Sequence, residues 1–99
     1  MVMTIVDGRV AHDKWALLEQ AYKRTARQLP RQMIQTFLVH DTSEPTRWQI
    51  ISVWHSREAL EEMRRTTETP GALLIFREAG VEPTVSIFDV AAHRAAGGA

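Results

Sequence analysis

The side chains able to do chemistry in this chain are few: four histidines, three tryptophans, one tyrosine and a balanced set of charges, with no cysteine among 99 residues. His40 closes an apolar run and is the histidine best placed to act as a general base, if that run ends at the mouth of a pocket. His55 follows Trp54 on the opposite parity and reads as a surface or interface residue, while His12 flanks a helix start and His93 lies near the end of the chain. No two histidines stand at i,i+4 on one helix, so no metal site is expected. The lack of cysteine removes thiol nucleophiles, thiolate-held metals and iron–sulfur clusters. No glycine-rich phosphate loop, nucleophile elbow or paired-carboxylate motif occurs.

What is left is a set suited to holding a small molecule. The run Arg47-Trp48-Gln49-Ile50-Ile51-Ser52-Val53-Trp54 places Trp48, Ile50, Ser52 and Trp54 on one parity. If a turn near residues 43 to 45 joins this run to the preceding one, Ile34, Thr36, Leu38 and His40 share that face. Large aromatics with a few small hydroxyls are the composition of a ligand pocket. Tyr22 and Met63, from two helices, are expected to close it. The candidate catalytic residues are therefore Trp54 and His40, and the candidate substrate-binding residues are Tyr22, Thr36, Trp48, Ser52 and Met63. Each has a plainer use, since a tryptophan or tyrosine in a small domain commonly fills the core. Arg47 and Asp7 are further candidates for orienting a polar ligand group.

These residues need elements to position them. Residues 2 to 10 mix Val, Ile and Thr and read as a first strand. From Asp13, a candidate cap, Trp15, Leu18, Tyr22, Ala26 and Leu29 recur at helical spacing until Pro30. Residues 31 to 40 and 47 to 55 read as a strand hairpin across the turn-forming Asp41 to Thr46. Ser56 caps a second helix running to about Thr67, whose Glu58, Glu61, Glu62, Arg64 and Arg65 read as a solvated face. Thr69-Pro70 opens a third helix that Gly80 stops, and residues 84 to 91 form a last strand. Residues 1 to 92 make one domain and 93 to 99 a flexible tail.

The order β-α-β-β-α-α-β is the ferredoxin-like split βαβ arrangement, an α+β fold with a four-stranded antiparallel sheet and its helices on one face. Strands two and three are apolar on both parities, so the second face also needs cover, and a second copy of the chain supplies it as a homodimer. Twelve basic residues balance twelve acidic ones, which argues against nucleic acid or an anionic membrane as partner. The start lacks a basic signal segment and no apolar run approaches a membrane span, so a cytoplasmic location is expected.

The stretch Ser52-Val53-Trp54-His55-Ser56-Arg57-Glu58-Ala59-Leu60 resembles the antibiotic biosynthesis monooxygenase family. Its members end the third strand in tryptophan, pass through a serine cap and enter a helix beginning Glu-Ala-Leu. The resemblance implies a dimeric α+β barrel and, in some members, a monooxygenase that needs no cofactor and acts on a polyketide or quinol-like aromatic. It also implies what is missing. Haem-degrading members carry a tryptophan where Met63 stands and a histidine where Leu73, Leu74, Ile75 and Phe76 stand. Anthrone-oxidising members carry an asparagine where Ile50 or Ser52 stands, and this chain has no asparagine. Two readings follow: a cofactor-independent oxygenase of a small aromatic, or a homodimeric ligand-binding or structural module without turnover.

Overall fold

A computed structural model describes residues 1–97, so the last two residues of the expected tail lie outside the described residues. The chain forms β1 (Val2–Arg9), a single 3-10 turn (His12–Lys14), α1 (Trp15–Thr25), β2 (Met33–His40), β3 (Arg47–Trp54), α2 (Arg57–Thr66), α3 (Gly71–Glu78) and β4 (Thr84–Asp89). The sheet order is β2-β3-β1-β4 and every neighbouring pair is antiparallel. This is the ferredoxin-like order expected from the sequence.

Strand register decides which residues meet the helices. Val2, Thr4, Val6 and Gly8 pair with Trp54, Ser52, Ile50 and Trp48, and all eight are buried beneath the helices. Thr36, Leu38 and His40 of β2 pair with Ser52, Ile50 and Trp48 and so share that face, as the turn position predicted. Ile34 does not join them. A bulge between Met33 and Gln35 lets Met33 pair with Trp54 and leaves Ile34 42% exposed, because one extra residue reverses side-chain parity.

Helix boundaries follow local chemistry. Ser56 Oγ accepts the Ala59 N–H at 3.0 Å and starts α2 as expected. Asp13 makes no cap; it lies within the 3-10 turn, and α1 ends at Thr25 rather than reaching Leu29, which is exposed. At the other end Gly80, at φ +80, closes α3: its N–H reaches the Arg77 carbonyl while the Val81 N–H reaches that of Phe76, each at 3.0 Å.

The core has two parts. Val6, Val10, Leu18, Ala21, Trp48, Ile50, Ile75, Phe76 and Ala79 pack at one end of the helix-covered face, and Val2, Trp54, Leu60 and Met63 at the other. On the opposite face the sheet lacks cover: Phe37 and Phe88 are 46% and 49% exposed, in line with Met3, Ile5 and Ile51 of the central strands. That face turns polar at one end, where Asp7 accepts hydrogen bonds from Arg47 Nε at 2.9 Å and Gln49 Nε2 at 2.7 Å. Arg47 and Asp7 are thus paired with each other on the face away from the helices. No helix among the described residues is long and apolar enough to cross a membrane.

Candidate functional site

Between the two parts of the core the helices stand off the sheet and leave a cavity of about 480 Å³. Its floor is Thr4, Val6, Thr36, Ile50, Ser52 and Trp54 of the sheet, its roof comes from Tyr22, Met63 and Ile75 of the three helices, and Val85 and Ile87 of β4 form one side. A void of this size falls within the range of small-ligand sites. It persists because α1 ends at Thr25, so Ala26, Leu29 and Pro30 line the rim as loop rather than pressing onto the sheet as a further helical turn.

Trp54 anchors the floor. It is 4% exposed, and its indole Nε1 donates to Thr4 Oγ1 at 3.0 Å, so the ring edge is satisfied and its orientation fixed. One strand over, Thr36 Oγ1 and Ser52 Oγ lie 3.1 Å apart and share a hydrogen bond. Three hydroxyls therefore sit on one apolar floor, and two hydrogens remain for a ligand acceptor: that of Thr4, which only accepts from Trp54, and that of whichever of Thr36 and Ser52 is not donating to the other. Apart from the Tyr22 phenol and the Arg64 guanidinium at the rim, no side chain among the described residues that line the cavity is ionisable.

Five residues expected at the site line this cavity: Tyr22, Thr36, Ser52, Trp54 and Met63. Trp48 and His40 do not. They share the sheet face with Trp54 but stand six residues back along the hairpin, roughly 20 Å away at the rise of a strand. There His40 stacks on Trp48 at a centroid distance of 3.9 Å, and Trp15 meets both rings edge-on, with His12 edge-on to Trp15. His40 Nε2 is held by the Pro45 carbonyl and lies outside the cavity. Trp48 Nε1 is buried without a partner among the described residues. Parity carried these two residues to the correct face, but parity does not report position along the strand.

Sequence reasoning missed Thr4 and Arg64. Thr4 had a signal: it is the one hydroxyl on the even parity of an otherwise apolar first strand, opposite Ser52. Arg64 had none beyond its place next to Met63 in a helix whose charges read as solvated. Those charges are partly structural, since Glu62 accepts from Arg31 and Gln32 and ties α2 to the segment ahead of β2. The hydrogen bond from Gln32 and the nearby Arg31 charge hold the Glu62 carboxyl below its ordinary range. No group of three or more His, Asp or Glu among the described residues is placed to hold a metal ion.

No family profile and no curated protein matches the sequence. Solved structures do match. A provisionally named antibiotic biosynthesis monooxygenase from Deinococcus radiodurans superposes with a TM-score of 0.72 over 99% of this chain and 100% of its own, at 15% identity. SnoaB, a cofactor-independent oxygenase from Streptomyces nogalater solved as a single-residue mutant, gives 0.69 over 93% and 94% at 21% identity. A provisionally named antibiotic biosynthesis monooxygenase from Nitrosomonas europaea gives 0.67 over 93% and 100% at 17%. The fold is that of the antibiotic biosynthesis monooxygenase structures. Identity this low carries the architecture and not the chemistry. In this chain the site within that fold is built from the Trp54–Thr4 anchor, the paired hydroxyls beside it, and Arg64 at the rim.

Proposed function

We propose that the chain is a cofactor-independent monooxygenase of a small flat aromatic, of the polyketide or quinol type, acting as a homodimer. The observation that carries this reading is the cavity: about 480 Å³, apolar, floored by a fixed tryptophan and three hydroxyls. A ring system lies along the apolar walls, and its carbonyl or phenol oxygen meets the hydroxyls of Thr4, Thr36 and Ser52. An ionised, electron-rich ligand passes an electron to dioxygen, and the radical pair closes a C–O bond. The resulting peroxide anion takes a proton from water, and the hydroperoxide then loses water with the hydrogen of the same carbon as a carbonyl forms, so one oxygen atom stays in the product and the other leaves in water. The chain contributes orientation, a dry wall and hydrogen bonds to the oxygen that carries the developing charge. No metal or flavin enters the scheme.

The bare sheet face, with Phe37 and Phe88 about half-exposed, supports the homodimer. Four strands about 4.8 Å apart, three of them eight residues long and β4 six, present roughly 500 Å² per protomer, about the lower limit for a specific pair.

Binding without turnover is the second reading. It is favoured by the cavity lining, which has no His, Asp, Glu or Lys to take a proton, and by Ile50 and Ser52 at the positions discussed above. Trp54→Phe decides whether the tryptophan serves ligand or packing. It keeps a ring in the floor and removes the bond to Thr4, and we expect a folded protein with hydroxylated-anthracene affinity weakened several-fold. Quenching of tryptophan fluorescence reports binding, and oxygen uptake in the same cuvette reports turnover. Uptake supports the oxygenase, and binding without uptake supports the module. Absence of binding by every aromatic tried sinks both.

A further inference from the structure

The cavity's wall is apolar except for its hydroxyls and the Gln28 amide, and one permanent cation stands at its rim. We propose that Arg64 makes this a site for aromatic anions: a flat ring seated against Trp54 with a carboxylate, or an equally acidic group, at the end nearest α2. The proposal rests on the ligand-binding reading above and adds the charge of the ligand.

Three observations carry it. Among the described residues Arg64 is the only charged one lining the cavity, and no carboxylate lines it. Its charge is unspent: Arg9, Arg24, Arg31, Arg47, Arg57 and Arg77 pair with acids, whereas no ion pair among the described residues includes Arg64. Glu61, one turn earlier, borders a shallow depression with Arg64 on the outside of the helix and not in the cavity. Third, the helix carrying Arg64 is held at its start by the Ser56 cap and at mid-length by Glu62 with Gln32, while the preceding Met63 is buried in the wall. A guanidinium next to an apolar wall attracts an anion more strongly than one in open water, and it offers a planar pair of donors that suits a carboxylate. The same charge explains how a cavity lacking a proton acceptor can host an ionised ligand: the ligand arrives as its anion, and Arg64 favours that form.

The test compares anthracene-2-carboxylate with anthracene-2-methanol, two probes of like shape and different charge, by tryptophan quenching with the full chain. The wild type is expected to bind the carboxylate roughly three- to tenfold tighter, the range of a partly exposed charged hydrogen bond. Arg64→Gln should abolish that preference and leave the alcohol unchanged, Arg64→Lys should keep part of it, and added salt should narrow the wild-type gap. Thermal melts of both variants check the fold, and the salt series needs no variant. Equal affinities in the wild type, a preference that survives Arg64→Gln, or a gap indifferent to salt would overturn the inference while leaving the cavity as an aromatic site. Loss of both probes in Arg64→Gln, with melting unchanged, also overturns it. Failure of both probes to bind the wild type removes the ligand-binding reading with it.

Discussion

Asp7 shows how one residue links sequence to stability without touching the cavity. Burial by itself raises a carboxyl's pKa, but here the hydrogen bonds from Gln49 and Arg47 and the charge of Arg47 outweigh it and hold Asp7 below the ordinary value. A group whose folded pKa is depressed stabilises the fold above its unfolded value, and that contribution is lost as pH falls through the lower, folded one. Unfolding by urea as a function of pH should therefore show the wild type losing stability below about pH 4, and Asp7→Asn losing less over the same window. Equal slopes would mean that the pairing contributes nothing. The aromatic residues were legible in type and parity from the sequence, so Trp54, Thr36 and Ser52 lie together as expected. Trp48 and His40 were misplaced because alternation repeats every two residues and carries no information on distance along the strand. The Arg64 side chain was illegible, since a cation on a polar helix face looks the same whether it faces solvent or a cavity mouth.

At the scale of elements, the junction of β1 with α3 leaves no room for an added methyl group. A Cβ on Gly8 would lie 2.7 Å from the ring of Phe76, which is fully buried, and 3.1 Å from Val81, the residue that completes the α3 cap. Neither neighbour is free to move. Gly8→Ala should cost about 1–3 kcal/mol, the usual range for overpacking, read as a lower urea midpoint; an unchanged midpoint would show that α3 can lift off the sheet. Element order and the hairpin were legible because strand and helix periods differ strongly here. The length of α1 was not: Ala26 and Leu29 keep helical spacing past Thr25, and only backbone geometry shows that the helix stops and the rim of the cavity begins. The bulge at Met33 was hidden for a related reason, because Met33 and Ile34 are both apolar and either parity looked satisfied.

For the whole molecule, the bare sheet face is the dominant fact. Phe37 and Phe88 are half-exposed on its two edge strands, and the proposed second copy covers both. Sedimentation should give twice the 11.3 kDa chain mass, and Phe37→Lys should shift the protein toward monomer, since a charge would have to be buried in the joint. A wild-type monomer at micromolar concentration would end the dimer proposal. The strand β4 has a further consequence. Phe88 looks toward the proposed partner, while Val85 and Ile87 on the same six residues look into the cavity. One strand with one backbone thus serves both surfaces, and whatever steadies it from one side lowers the entropy left to lose on the other. If the proposed pair forms and the proposed ligand binds, assembly and occupancy are linked by mass action: dilution would loosen the ligand, and the ligand would hold the pair together by the same factor.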